Sequence, residues 1–310
     1  MSVTLPHDAM ITETRSDQSK GIHNIGWFDA QDYAYTKTFY VPSEYADKKV
    51  FFEIEGAYRN AEVFINGQLI GYRPYGYSDF YLEATEALMI GKDNEIRIHT
   101  YNKDQPNSRW YTGTGLYRPV NMIVTEKDHI LLNGIKIRTL QIDPAVIEVM
   151  IETNAAGRIQ VQILDQEQVI TEKELHTEGG AAVIELQITD GKYWNVETPM
   201  LYQCRVQYVS NAGCIDETTE SFGIRTLQWN RNKGISINGK RTILRGACIH
   251  HDNGIVGACA YPEAEERRIR ILKENGYNAI RSAHNPCSKA LLEACDRLGM
   301  LVMDEYVDAW

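Results

Sequence analysis

The chain has 310 residues, a formal net charge of -10, 43% hydrophobic residues and 24% charged ones. That length allows two or three domains, and the composition is ordinary for a soluble globular protein. The acidic balance disfavours nucleic acid and anionic membrane surfaces as partners and suits a neutral ligand, which needs no charge steering.

The first eight residues lack the basic-then-apolar pattern of a signal peptide, and no apolar run approaches the ~20 residues of a membrane span. A cytoplasmic location is therefore expected. Six cysteines, at 204, 214, 248, 259, 287 and 295, form no C-x-x-C pair and no zinc-like spacing with histidine. Free thiols and no metal site are expected of them. The 18 tyrosines and five tryptophans suit sugar stacking and sandwich cores equally.

Residues 1–127 read as all-β. Apolar and polar residues alternate over 50–56, 61–65 and 95–101, and Asn66-Gly67 is a strong hairpin-turn signal. Short strands between turns predict a sandwich or a jelly roll. Residues 128–226 repeat the style, with strands at 147–152, 158–164, 182–188 and 202–208. About seven strands in ~100 residues predict an immunoglobulin-like sandwich of the disulfide-free kind.

From 227 to 310 the period changes. Residues 243–249 read as a buried strand, followed by a helix opened by Pro262 with Glu263, Glu265 and Glu266 in its first turn. A strand at 278–283, a helix carrying Leu291, Leu292, Cys295 and Leu298, a cap at Gly299 and a strand at 300–303 follow. Strand–helix–strand–helix–strand predicts parallel βαβ units.

Each of these three strands ends in polar groups: His250 to Asn253, His284 and Asn285, and Asp304 and Glu305. A (β/α)8 barrel builds its site at those ends, so two histidines and a carboxylate pair are expected on one face. Asp304 and Glu305 are adjacent, and adjacent strand residues point to opposite faces. They are therefore a poor catalytic pair.

The strings NAIRSAHNP at 278–286 and DRLGMLVMDE at 296–305 resemble the signature of glycoside hydrolase family 2, the β-galactosidase/β-glucuronidase family. NGKRTILRGACIHH at 238–251 is similar to the start of that family's barrel. GIHNIGW at 21–27 and YTKTF at 35–39 resemble early strands of its sugar-binding domain. SRWYTGTGLYR at 108–118 resembles the loop of that domain that reaches the active site.

The resemblance implies that His250 and His284 contact the bound sugar, with Glu305, Arg109 and Trp110 also in the pocket. It implies supporting roles for Arg281, Asp304 and Asn285. Arg109 stands where some relatives have a glycone-binding aspartate, Asn285 where tyrosine is commoner, and His251 where glutamate is frequent. Retaining glycosidases need two carboxylates about 5–5.5 Å apart across the glycosidic bond. In the family these follow barrel strands four and seven, so both are expected beyond Trp310. The chain alone is then expected to be inactive.

The implied parent is a retaining β-glycosidase, β-galactosidase first, with β-glucuronidase and β-mannosidase as other options. It would act on a β-linked sugar as a homo-oligomer without a required cofactor, a magnesium or sodium ion being an option in the whole enzyme. A non-catalytic carbohydrate-binding module and an architectural role are the competing readings.

Overall fold

A computed structural model describes residues 1–307; the last three residues of the 227–310 segment lie outside the described residues. The first strands are β1 (Tyr33–Val41), β2 (Lys49–Ile54), β3 (Ala61–Ile65), β4 (Gln68–Arg73), β5 (Phe80–Glu83), β6 (Lys92–Thr100) and β7 (Val120–Thr125). They form two antiparallel sheets, in the orders β1-β6-β3-β4 and β5-β2-β7. The faces meet over Val41, Val50, Ile54, Val63, Ile65 and Ile98. Asn66 and Gly67, at φ 50° and 81°, turn β3 into β4; only a two-residue turn with positive φ matches the strands' twist.

The next seven are β8 (Ile130–Ile142), β9 (Ala145–Thr153), β10 (Gly157–Asp165), β11 (Gln168–Thr177), β12 (Gly180–Ile188), β13 (Tyr202–Ser210) and β14 (Ile215–Phe222). A three-stranded sheet, β12-β9-β8, faces a four-stranded one, β11-β10-β13-β14. Strand β9 alternates without a break, burying Ile147, Val149 and Ile151 completely. These pack on Ile159, Val161, Val206 and Tyr208 of the opposite sheet.

A small antiparallel sheet of β15 (Leu227–Asn230), β16 (Gly234–Ile237) and β17 (Lys240–Arg241) leads into the last unit. That unit runs β18 (Gly246–Ile249), α1 (Pro262–Glu274), β19 (Ala279–Ser282), α2 (Lys289–Leu298) and β20 (Leu301–Met303). The three strands are parallel, in the order β18-β19-β20. Pro262 opens α1, and Ser288 caps α2 by accepting from the Leu291 amide. Gly299 ends α2 at φ 76°, and a Cβ there would lie 2.5 Å from the Val196 carbonyl oxygen. Only glycine meets both demands.

The first strand of this unit is shorter than its apolar run. Ile243 and Leu244 precede β18 and are 60% and 42% exposed rather than buried. Their backbone has no parallel neighbour to pair with, because β19 pairs from Gly246 onward. The two helices pack on each other and on the strands through Ile269, Ile280, Leu291, Ala294 and Cys295.

Several polar contacts join this unit to the sandwiches. Asp8, 1% exposed, accepts from the amides of Met10 and Thr114 through Oδ1 and from Tyr111 Oη and the Ala258 amide through Oδ2. It ties the N-terminal segment, the 108–118 loop and the stretch before α1 into one knot. Lys289, at the start of α2, pairs with the buried Glu53 of β2 and donates to Tyr81. Burial alone would raise the Glu53 carboxyl, but hydrogen bonds from Lys289, Tyr81 and Asn121 hold it below its ordinary range. Trp194, on the second sandwich, donates to the Asp296 carbonyl at 2.8 Å, and Arg225 stacks 4.5 Å from its ring.

All six cysteines carry free thiols. No helix among the described residues is long and apolar enough to cross a membrane.

Asp8→Asn puts an NH2 group where two buried donors already point. It is expected to lower unfolding free energy by about 3 kcal/mol, since unsatisfied buried groups cost roughly 1–3 kcal/mol each. Urea denaturation of the variant checks this; a loss under about 1 kcal/mol contradicts the knot's role. The parallel unit has free edges on β18 and β20 among the described strands, so its amides are expected to exchange hydrogen faster than those of β9 and β13. Equal protection in the two regions, measured by mass spectrometry on a monomer, contradicts it.

Candidate active site

His250 follows β18 and His284 follows β19, and the parallel register brings the strand ends side by side. Their ring centroids are 5.7 Å apart. Trp110, on the 108–118 loop of the first sandwich, covers both. It stacks on His250 at 5.5 Å with an 18° interplanar angle and tilts against His284 at 5.1 Å. Three rings from three chain segments thus form one aromatic corner. A flat apolar face beside ring nitrogens suits a ligand that is apolar on one side and hydroxylated on the other.

Glu305, just past β20, closes the corner. Its Oε1 accepts from Arg281 Nε at 2.5 Å, and its Oε2 lies 3.1 Å from His284 Nδ1. A carboxylate only accepts, so that contact calls for a proton on Nδ1, which Arg281 Nη2 also approaches at 3.4 Å. Arg281 is held by Glu305 and also donates to Cys248 Sγ at 3.5 Å. These two bonds lift its guanidinium above its already high range despite some desolvation.

Asp304 goes elsewhere: its Oδ1 accepts from the Cys287 amide at 2.9 Å. Consecutive carboxylates therefore serve different surroundings. Asn285 is 1% exposed; its carbonyl accepts from Ser282 Oγ, and its side-chain Nδ2 is buried without a partner. It braces the backbone beside His284. Arg109 is exposed next to Trp110.

His251 turns away from the corner. Its ring is wedged between Tyr77 and Tyr117, with centroids at 5.0 and 5.6 Å, and Nε2 donates to the Thr112 carbonyl at 2.9 Å. Its Nδ1 is shielded from solvent and lacks a partner. Burial pushes the imidazole down to about 3, against a smaller upward pull from the Thr112 bond. His251 is thus a neutral strut under the loop that carries Trp110. Tyr77 completes the brace by accepting from Trp110 Nε1 at 3.1 Å. Its position in the sequence, far from any histidine, carries no signal of this.

Arg118, at the far end of the loop, is 2% exposed and donates to the carbonyls of Tyr77 and Pro286. It clamps the loop's base to the barrel strand end. Among the described residues no three His, Cys, Asp or Glu side chains come together as a metal-ligand group.

Two family models match the chain: "Glycosyl hydrolases family 2" over residues 132–225 and "Glycosyl hydrolases family 2, TIM barrel domain" over 230–308. Together they span more than half of it. The chain belongs to glycosyl hydrolase family 2. A curated relative, β-galactosidase BoGH2A of Bacteroides ovatus, is 36% identical over 99% of this chain and 38% of its own length. A β-glucuronidase of Bacteroides fragilis is 28% identical over 98% of this chain and 46% of its own. The crystal structure of a family 2 member from Bacteroides cellulosilyticus superposes with a TM-score of 0.95 at 33% identity, covering 99% of this chain and 42% of that one. The chain thus spans less than half the length of these family 2 relatives.

Within that family assignment, His251 makes a measurable demand on pH. Folding holds it neutral, while in the unfolded chain it protonates below its ordinary 6.5. The unfolded state then binds the extra proton, so stability is full above pH 6.5 and falls as pH drops toward 3. His251→Gln keeps a donor for Thr112 and cannot titrate. Between pH 7 and pH 5 the native chain is expected to lose about 1–2 kcal/mol more than the glutamine variant. Parallel losses in chemical denaturation at the two pH values would remove His251 as the cause.

Proposed function

We propose that this chain is the N-terminal part of a retaining β-glycosidase that hydrolyses terminal β-linked sugars, with β-galactosides as its substrates. The observation that carries the reading is the corner of Trp110, His250, His284 and Glu305, contributed by a sandwich loop and three successive barrel strand ends. Such a corner grips one sugar: a ring face lies on Trp110, and imidazole nitrogens and a carboxylate meet hydroxyls. Arg281 and Asn285 hold these groups in place, and Arg109 sits at the rim.

In this reading, residues 1–127 are a jelly-roll sugar-binding domain and 128–226 an immunoglobulin-like sandwich. Residues 227–310 are then the first three βα units of a TIM barrel. The three-on-four arrangement of β8 to β14, with β10 beside β13, supports the middle assignment. The 36% identity to a β-galactosidase, against 33% to a putative β-glucuronidase, favours the galactoside.

The bond-breaking step needs an acid to protonate the leaving oxygen and a carboxylate to attack the anomeric carbon from the other side. Asp304 and Glu305 do not fill these roles, since one is bound to a backbone amide and the other to Arg281 and His284. We assign the acid and the nucleophile to later strands of the parent enzyme's barrel. The sugar is held here and cut with groups supplied from there.

The purified 310-residue chain is expected to release no aryl alcohol from aryl β-galactoside or aryl β-glucuronide above background. The parent enzyme is expected to cleave the galactoside with retention of anomeric configuration. In the parent, Trp110→Ala and His284→Ala are expected to lower kcat/KM by about 10²-fold or more through lost positioning. Hydrolysis by the chain alone that disappears in Glu305→Gln would overturn the assignment of the carboxylates. Preference for the glucuronide would overturn that of the substrate.

A further inference from the structure

The Tyr77 hydroxyl that accepts from Trp110 Nε1 is buried and has a proton of its own to place. It is hydrogen-bonded to the hydroxyl of Tyr58, in the loop between β2 and β3, and the two rings lie 5.1 Å apart. Tyr58 donates onward to Asn107 Oδ1 at 3.2 Å. The Asn107 amide is fixed in its orientation, because its Nδ2 donates at 2.8 Å to both Asn102 Oδ1 and the Asp104 carbonyl. Asn102 Nδ2 donates in turn to Thr114 Oγ1 at 2.6 Å. A file of hydrogen bonds thus runs from Trp110, at the tip of the 108–118 loop, to Thr114 in its stem.

The file has one workable direction. Asn107 Oδ1 only accepts, so Tyr58 gives its proton to Asn107 and its oxygen takes the proton of Tyr77. The Tyr77 oxygen is then open to the indole N–H. With the protons reversed, Tyr77 would point a donor at the indole donor in a site that water does not reach, which is costly. Chained bonds in such a site also strengthen one another. Tyr58 has little freedom to leave the file. A Cβ on Gly76 would lie 2.5 Å from its Cδ2, and its backbone exchanges two 3.0 Å hydrogen bonds with Gly115. Tyr117, in the same aromatic cluster, shows the simpler arrangement: its hydroxyl ends on the Gly76 carbonyl at 2.8 Å. Tyr58 and Tyr77 instead connect, through side chains, to the residue that meets both histidines.

We infer that Tyr58 and Asn107 are positioning residues for the Trp110 platform. They fix the direction of the Tyr77 proton and so keep the indole stacked on His250. The use of that platform for a sugar rests on the glycosidase reading above; the relay itself does not.

The test follows the Trp110 indole N–H signal of the ¹⁵N-labelled 310-residue chain by NMR, assigned with Trp110→Phe. Tyr58→Phe removes one hydroxyl. It is expected to move that signal upfield and to speed its exchange with solvent, while the other tryptophan indoles keep their positions and report an intact fold. Asn107→Asp keeps the acceptor for Tyr58 and loses the donors to Asn102 and Asp104, whereas Asn107→Leu loses both. The signal is expected to hold in the aspartate variant and to move upfield in the leucine variant. Equal movement in these two means that the amide only braces the loop and overturns the inference, as does a signal unmoved by Tyr58→Phe. Methyl β-galactoside is expected to bind the Tyr58→Phe chain about fivefold more weakly than wild type, the contribution of one hydrogen bond. Equal binding overturns the positioning role. A wild-type chain that does not respond to methyl β-galactoside sinks the galactoside reading instead, and the indole signals still decide the relay.

Discussion

The architecture hangs on one buried carboxylate. Asp8 receives four hydrogen bonds from three separate stretches of chain. Two glycines make the approach feasible: a Cβ on Gly257 would stand 2.2 Å from Asp8 Oδ2, and one on Gly113 would stand 2.9 Å from it. Both glycines also have positive φ. The carboxylate is thus satisfied by donors alone, without a counter-ion, and the first sandwich is fixed against the barrel segment where the 108–118 loop passes.

That anchorage decides what the loop can do. From Thr112 to Arg118 every residue is buried. Thr112 holds His251, Thr114 holds Asp8, the Tyr117 carbonyl takes the Ala260 amide, and Arg118 reaches Pro286. Trp110 is then carried on a rigid stem. An aromatic platform that must meet histidines from another domain needs such a stem, because a displacement of about 1 Å at a binding group is costly to catalysis. The second sandwich braces the opposite side through Trp194 and Val196, against α2 and Gly299.

Much of this was legible in the sequence where physics is local. Alternation predicted β9, β10 and β13, because one face of each is buried. Asn66-Gly67 announced its hairpin, and Pro262 and Gly299 marked helix ends. The convergence of His250 and His284 followed from their place after consecutive parallel strands. Ile243 and Leu244 read as buried because an apolar run says nothing about whether a neighbouring strand reaches that far. Asp8, Tyr77, Arg118 and Lys289 were not singled out for a reason of the same kind. Each acts across 33 to 250 residues of chain, and a polar residue looks the same in sequence whether it faces solvent or another domain. His251 sat inside a conspicuous motif, but its direction depended on Tyr77 and Tyr117, which sequence spacing does not bring to it.

The loop's division into a clamped stem and an outward tip has a consequence for variation. Arg109 is exposed, and Trp110 is held at its indole nitrogen by a single hydroxyl, while the Asp8 knot and the Arg118 clamp involve neither residue. The tip therefore works as an interchangeable cassette: its chemistry can drift without disturbing the hinge that aims it. Under the glycosidase reading, the tip is then the part of the pocket's edge that changes without touching either the knot or the clamp that positions it.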